Sequence, residues 1–355
     1  MTSAYGKTGV RTTEELSEFP RMLDLLRRTF GTRAKRTGRV HLDFGYYANV
    51  LDLGNNLGLA ISTDGVGTKI IVAELMQKYD TIGIDCIAMN VNDIICVGAE
   101  PIAMTDYIAI EHEDGDVLSQ IAIGLARGAE LADITIPGGE LAQLGEMVNG
   151  IDLVGTCVGT VPMDRIITGA TVQPGDAIIG FASSGIHSNG LTLARETLIG
   201  EHTKRIFDYV PEFQRSLGAE LLEPTTIYVR LAMALMQELD VRAMAHMTSD
   251  GFLNLARIDA KVGFDIESLP EAPPIFQMIA GEGKIAPADM FLVYNMGIGF
   301  CAIVPDGEAA RALEIAAEAG IGAWRIGVCT DDPDKIVHVR PAGLRSMGGH
   351  FESVR

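Results

Sequence analysis

Apolar residues at helical spacing alternate with short apolar runs along the chain, and most such segments end at glycine, proline or a hydroxyl residue. Residues 1–12 are small and polar and predict a loose arm. Phe19, Met22, Leu23, Leu26 and Phe30 share a face, which predicts an amphipathic helix over 13–30 capped by Thr12 or Thr13. A basic loop follows at 31–39, with Arg33, Lys35, Arg36 and Arg39. Residues 40–61 alternate and predict two strands and a turn. The run Leu57 to Ile61 then leads into a two-glycine loop, Ser62-Thr63-Asp64-Gly65-Val66-Gly67-Thr68-Lys69, and a helix opening at Ile70. Ile84, Ile87, Ala88, Val91 and Ile95 predict a helix within 80–98, capped by Thr81 and stopped by Gly98. Strands are expected at 102–110, 134–136 and 151–161, with a helix at 116–131.

Turn signals at Thr168-Gly169 and Pro174-Gly175 mark a boundary, and a length of 355 residues favours two domains. The expected units are 1–168 and 169–355. The second half opens with a strand at 177–181, a polar loop at 183–190 and a helix at 191–198. A helix at 227–239 follows Glu223-Pro224-Thr225-Thr226, and a second strand-then-polar-loop unit spans 245–251. A helix with Leu253, Leu255 and Ile258 comes next, then a proline-rich surface stretch at 270–275. The rest reads as a strand at 301–304, an alanine-rich helix at 307–320, a strand at 324–328 and a polar tail at 341–355.

Composition narrows the class of function. Apolar residues are 47% of the chain, enough for a sizeable core, and the net charge is −19. That charge argues against a nucleic-acid or anionic-membrane partner, although a local nest of N–H groups can still hold a small phosphorylated compound. The five cysteines, Cys86, Cys96, Cys157, Cys301 and Cys329, each sit in an apolar run without a C-x-x-C pair and read as buried free thiols. Met1 to Val10 has no apolar run of the signal-peptide kind, and no uncharged apolar stretch reaches the roughly 20 residues of a membrane span. A cytoplasmic protein is expected.

The candidate chemistry lies at loops. In the 62–69 loop, glycines allow close approach of backbone N–H groups to an anion, Thr63 and Thr68 add hydroxyls, Lys69 a positive charge and Asp64 a carboxylate. The spacing fits neither a P-loop nor a dinucleotide fingerprint, and a plain turn between strand and helix has the same pattern. Asp85, Asn92 and Asp93 are seven and eight residues apart and share one face of an apolar helix. Metal coordination or a polar face turned to water both fit that spacing. Pro137-Gly138-Gly139-Glu140 is expected to bring Glu140 to the same crevice, and carboxylates from Asp64, Asp93 and Glu140 suit Mg²⁺. Ser183-Ser184-Gly185-Ile186-His187-Ser188-Asn189-Gly190, between a strand and a helix N-terminus, suits an anionic substrate, with His187 as donor or acid–base group.

Several strings together carry a resemblance: Ser-Thr-Asp-Gly-Val-Gly-Thr-Lys at 62–69, Asp-Thr-Ile-Gly-Ile-Asp at 80–85, Val-Asn-Asp at 91–93 and Gly-Ala-Glu-Pro at 98–101. The series extends to 183–190, Glu-Pro-Thr-Thr-Ile-Tyr-Val at 223–229, Ala-His at 245–246 and Asn-Met-Gly-Ile-Gly at 295–299. The chain resembles the aminoimidazole ribonucleotide synthetases, also called phosphoribosylformylglycinamidine cyclo-ligases, from about residue 5 to about 340. The resemblance implies an α/β protein of two domains: an N-terminal dimer-forming sheet domain that binds ATP, and a C-terminal mixed sheet covered by helices, with the active site between them. It implies a homodimer and an ATP-dependent ring closure of formylglycinamidine ribonucleotide in purine biosynthesis. Asp64, Gly65, Gly67, Thr68, Lys69, Asn92 and Asp93 are then expected at ATP, and Asp64, Asp93 and Glu140 at Mg²⁺. Ser184, His187, Ser188 and Asn189 are expected at the substrate, with His246, His187 and Lys69 as catalytic groups. The chain departs from the family pattern at Phe44-Gly45-Tyr46-Tyr47, at Leu141 to Gly145, and at Ser249-Asp250, where glycines are usual. The alternative is an ATP-dependent relative with another substrate, a small-molecule kinase or a selenophosphate-synthetase-like enzyme. The latter wants a reactive cysteine near the N-terminus, and the first here is Cys86.

Overall fold

The computed structural model describes residues 18–112 and 114–354, so the expected arm at 1–12 and the cap at Thr12 or Thr13 lie outside the described residues. The first amphipathic segment is helical over α1 (Phe19–Arg27) and tightens into a 3-10 stretch, Arg28–Arg33, that enters the basic loop. Chain order then gives β1 (Arg39–Val40), β2 (Asn49–Gly54) and β3 (Leu57–Gly65), with Asn55 and Asn56 at positive φ closing the turn between the last two. Next come α2 (Lys69–Met76), α3 (Ile82–Cys96), β4 (Glu100–Ile110), α4 (Gly115–Ala132), β5 (Thr135–Gln143) and β6 (Ile151–Pro162).

These strands form one sheet in the order β1-β2-β3-β6-β4-β5, antiparallel except for β4 and β5, whose parallel pairing is spanned by α4. Two motifs expected as loops are strand instead. Ser62 to Gly65 pairs with β6 as far as Gly65 opposite Val154, so the sharp turn is confined to 66–68. Gly138-Gly139-Glu140 pairs with β4, Glu140 lying opposite Tyr107. In both cases a neighbouring strand satisfies the backbone, which overrides the weak strand preference of glycine.

The sheet has two unlike faces. On β6, Leu153, Cys157 and Val161 are buried beneath the helices, while Val154, Thr156, Val158 and Thr160 alternate with them on a half-exposed outer face. The helices α3 and α4 cross at glycines: a Cβ on Gly83 would stand 2.2 Å from the Leu125 nitrogen, and one on Gly124 2.8 Å from the Asp80 oxygen. Only glycine permits that approach.

The second half holds β7 (Ala177–Ala182), α5 (Leu191–Leu198), the short hairpin β8 (Tyr209–Val210) and β9 (Arg215–Ser216), α6 (Leu217–Leu221), α7 (Val229–Glu238) and β10 (Ala243–His246). After a 3-10 stretch, Gly251–Arg257, come β11 (Gly263–Ile266), α8 (Pro274–Gly283), α9 (Pro287–Val293), β12 (Ile298–Val304), α10 (Ala309–Glu318), β13 (Ala323–Thr330) and β14 (Val337–Val339). The chain closes with β15 (Leu344–Met347) and β16 (His350–Ser353). The larger sheet runs β10-β12-β7-β13-β11-β14-β15-β16 and is mixed, β11 and β14 being parallel. The expected polar tail is thus an ordered hairpin that buries Leu344 and Phe351, and the expected surface stretch at 270–275 starts α8 and buries Ile275. All five cysteines are buried free thiols. No helix among the described residues is long and apolar enough to cross a membrane. The architecture is mixed α/β with two sheets, and α3 lies between the first sheet and loops of the second half.

Candidate active site

The site is built on α3 and the end of β3. Asn90 of α3 is fully buried and clamps the Asp64 backbone from both sides: its Oδ1 accepts the Asp64 N–H at 3.0 Å, and its Nδ2 donates to the Asp64 carbonyl at 3.0 Å. Gly155 on β6 lies opposite Asp64, and a Cβ there would fall 2.8 Å from Asn90 Nδ2. A side chain on β6 would therefore dislodge the amide that fixes Asp64. The Asp64 carboxylate accepts the Gly65 N–H at 2.7 Å, and burial together with the charge of Asp93 pushes its pKa up to about 6.

Asp93, one helical turn beyond Asn90, meets His246 at the end of β10: Nδ1 to Oδ1 is 3.0 Å. Ser62 Oγ donates to its other oxygen at 3.4 Å. The His246 ring is buried, and Asn92 Nδ2 lies 3.5 Å from its Nε2. An amide nitrogen can only donate, so the network assigns the proton to Nδ1, where it points at Asp93. His246 has no open edge left. Its geometry orients Asp93 rather than handing a proton into the cleft.

Asn92 faces the second half, not the cleft. Its Nδ2 donates to the Thr226 carbonyl at 2.9 Å and its Oδ1 accepts the Tyr228 N–H at 3.0 Å. The expected ATP contact is replaced by a buried clamp on the 224–228 segment. Lys69 departs from expectation as well. Its side chain is wholly buried, and Nζ donates to Asp85 Oδ1 at 2.9 Å and to the Glu223 carbonyl. The ammonium is turned inward between the two halves, away from the open turn at 66–68.

Glu140 does not join Asp64 and Asp93. Asp64, Gly155, Asp106 and Gly139 form one row across four strands, and Gly65, Val154, Tyr107 and Glu140 form the next. Adjacent rows point to opposite faces, so Glu140 projects from the outer face with Tyr107. Asp106 takes the inner-face position instead, two strands or about 10 Å across from Asp64, and burial raises its pKa. Among the described residues no group of three His, Cys, Asp or Glu side chains is placed to hold a metal ion. Asp64 and Asp93 remain a pair of carboxylates whose mutual repulsion the Gly65 N–H and His246 offset only in part. That donor set fits Mg²⁺, which takes one or two carboxylates and fills its other positions with water and phosphate oxygens.

The 183–190 loop is stitched to 223–226. His187 stands at φ 65° with a buried ring, and its Nε2 accepts the N–H groups of Ser184 at 3.2 Å and Thr226 at 3.4 Å. Burial, then the neighbouring His246 and Lys69, hold its pKa well below the usual imidazole range, so it is neutral with its proton on the unpartnered Nδ1. Ser184 Oγ donates to the Pro224 carbonyl. Ser188 Oγ is buried against Asp85 and Thr225. Asn189, whose Oδ1 accepts from Ser249 Oγ at 2.8 Å, and the half-buried Ser183 and Ser184 keep exposed surface on this loop. Asn295 shapes it from below, donating to the Gly185 and Ile186 carbonyls. The structure thus adds Asn90, Asp85, Asp106 and Asn295 to the expected set. Asp85 had a sequence signal in its place on the polar face of α3, and Asn295 in the Asn-Met-Gly-Ile-Gly string at 295–299.

Comparison with known proteins shows the family of the chain. The family model for AIR synthase related protein, N-terminal domain, matches residues 45–161, and that for its C-terminal domain matches 173–340. A phosphoribosylformylglycinamidine cyclo-ligase from Pyrococcus horikoshii is 46% identical over 94% of this chain and 96% of its own. One from Methanothermobacter thermautotrophicus is 48% identical over 81% and 84%. The chain belongs to the AIR synthase-related family, and within it to the phosphoribosylformylglycinamidine cyclo-ligases. More distant solved structures share the fold. A thiamine-monophosphate kinase from Stenotrophomonas maltophilia K279a is 21% identical with a TM-score of 0.59, over 91% of this chain and 96% of that one. The hydrogenase maturation protein HypE in complex with ATP is 18% identical with a TM-score of 0.59, over 100% and 98%.

Proposed function

We propose that the chain closes the imidazole ring of aminoimidazole ribonucleotide from formylglycinamidine ribonucleotide, converting ATP to ADP and phosphate. The observation that carries the reading is the Asp93–His246 pair beside Asp64, set where loops of both halves meet, in a chain with 46% identity to cyclo-ligases over nearly its whole length. The kinase-like alternative rests on likeness of fold alone. Amide oxygen is a poor leaving group. Transfer of the γ-phosphoryl group to the formyl oxygen makes it a good one; the ribose-bearing nitrogen then attacks that carbon, the C–N bond forms, the C–O bond breaks and phosphate departs.

Asp64 and Asp93 hold Mg²⁺, which when bound neutralises charge on the phosphates. Gly65, Gly67 and Thr68 line the phosphate side, Gly67 at φ 70° opening the turn at the N-terminus of α2. Ser184 and Asn189 offer hydrogen bonds to the ribonucleotide, with His187 and Ser188 holding their loop from behind. His246 keeps Asp93 oriented. Phosphoryl transfer relies chiefly on positioning and cation placement, and the paired carboxylates and tied-down loops support that reading. The half-exposed outer face of the first sheet supports a homodimer, and five buried free thiols support work in the reducing cytoplasm.

The test is direct. Purified protein with ATP, Mg²⁺ and formylglycinamidine ribonucleotide forms aminoimidazole ribonucleotide, and Asp93→Ala lowers turnover by at least about 100-fold. ATP binding without product in the unsubstituted protein overturns the reading.

A further inference from the structure

Asp85 lies two helical turns before Asp93 on α3, and a single oxygen of it collects four donors. Lys69 Nζ at 2.9 Å, Ser188 Oγ at 3.2 Å, Thr225 N at 2.8 Å and Thr225 Oγ1 at 2.7 Å all reach Oδ1, while Oδ2 is buried without a partner. Both members of the Lys69–Asp85 pair are wholly inaccessible. A buried ion pair contributes little net stability, since apolar side chains of similar volume commonly do as well or better. What an apolar pair cannot supply is direction.

Here the direction is specific. Lys69 and Asp85 belong to the first half; Ser188, Glu223 and Thr225 belong to the two loops of the second half that His187 stitches together. One acceptor on α3 therefore anchors both loops, and the same rigid helix presents Asp93 about 12 Å further along. We propose that Asp85, paired with Lys69, is a positioning residue: it registers the loops at 184–189 and 223–226 against the carboxylates Asp64 and Asp93. The inference rests on the proposed function for its consequence in turnover, and on the contacts alone for its consequence in the loops.

Two double variants separate positioning from mere stability. Lys69→Met/Asp85→Asn removes both charges but keeps an acceptor at Oδ1. Lys69→Met/Asp85→Leu removes both charges and the acceptor. The Lys69→Met change is common to both, so any direct effect of losing the lysine cancels between them. The Leu variant is expected to unfold several degrees below the Asn variant, since Thr225 N–H and the hydroxyls of Thr225 and Ser188 lose their acceptor, so kinetics and exchange are compared at a temperature where both variants are fully folded. The KM for formylglycinamidine ribonucleotide is expected to be at least about 10-fold higher in the Leu variant than in the Asn variant, with the KM for ATP alike in both. Amide hydrogen exchange within 184–189 and 223–226 is expected to be at least about 10-fold faster in the Leu variant, and unchanged in β3 and α3. Equal KM values and equal loop exchange in the two variants overturn the proposal. If the unsubstituted protein forms no product, the proposed reaction falls, and loop exchange still decides whether Asp85 positions the loops.

Discussion

Asp250 stands at φ 71°, in the left-handed region, where the family pattern has glycine. Aspartate tolerates that region better than most residues, at a cost of about 1 kcal/mol that glycine escapes. Glycine gives back a similar amount in unfolded-chain entropy. These two backbone terms of Asp250→Gly therefore nearly cancel in the unfolding midpoint. If that loop faces the substrate phosphate, removing its carboxylate is worth about 1 kcal/mol near a wet surface, and the KM for the ribonucleotide should fall about 5-fold. A KM that stays or rises, measured at saturating ATP, shows that the loop meets another part of the substrate. Asp64 gives a pH signature of opposite kind. Its folded pKa of about 6 lies above the ordinary aspartate value of 3.8, so the folded chain keeps a proton that the unfolded chain releases. That contribution is fully present below about pH 4 and is lost as pH rises through about 6. A thermal-unfolding series from pH 4.5 to 7.5 should show the decline in the unsubstituted protein and a flatter profile in Asp64→Asn. Mg²⁺ at pH 7.5 should raise the midpoint more in the former. Asp64, Asp93 and the polar loops could be picked from the sequence because their residue types are unusual beside apolar runs. The partner of Lys69 could not, since Asp85 is brought to it only when α2 and α3 pack. Glu140 was misplaced for a related reason: the face on which a strand residue emerges depends on register, and one residue reverses it.

The helices were the most readable elements. α3, α4 and α10 follow 3.6-residue spacing and lie close to their expected ranges. Strands that run through glycine and proline were not readable as such, because β3 and β5 take their stability from neighbours on the sheet and not from local preference. The hairpin β15–β16 escaped for its polar composition; two buried side chains, Leu344 and Phe351, suffice to dock it. Glycines inside helices carry information that periodicity cannot express. A Cβ on Gly83 would meet backbone atoms of α4, not a flexible side chain, so α3 and α4 would have to part. Gly83→Ala is expected to cost about 3 kcal/mol, the upper end of overpacking. Gly115→Ala, where nothing lies within 4 Å, is the control and should change the urea midpoint little. Equal midpoints for the two variants would show that the helix crossing yields readily. Because α3 also carries Asp85, Asn90 and Asp93, Gly83→Ala should lower turnover even under conditions where it remains folded.

At the scale of the molecule, one face of the first sheet is half-exposed among the described residues. Leu57, Leu59 and Ile61 of β3 share that face with Val154 and Val158 of β6 and Tyr107 of β4, with threonines between them. Leu57 and Tyr107 are 42% and 39% exposed, and among the described residues the helices cover the opposite side. An apolar surface spread over three adjacent strands is larger than the isolated apolar residues of an ordinary surface and marks an association site. A second copy presenting the same face is the simplest partner, since a two-fold axis makes one patch complementary to itself. The unsubstituted protein should then scatter light as a particle of twice 38.0 kDa. Val158→Lys, at the centre of the face, places a charge where two copies meet while its own strand stays paired on both sides. The expected mass is 38.0 kDa. Val354→Lys, equally apolar and 52% exposed but at the far end of the chain, should leave the mass doubled. An unchanged mass in Val158→Lys moves the interface elsewhere. Strand alternation puts Thr63 on the outer face and Asp64 on the inner one, so association through the outer face would restrain β3 without occupying the carboxylate. Val158→Lys should therefore retain ATP binding, and any loss of turnover in the monomer measures how far the second copy holds β3, and with it Asp64, in place.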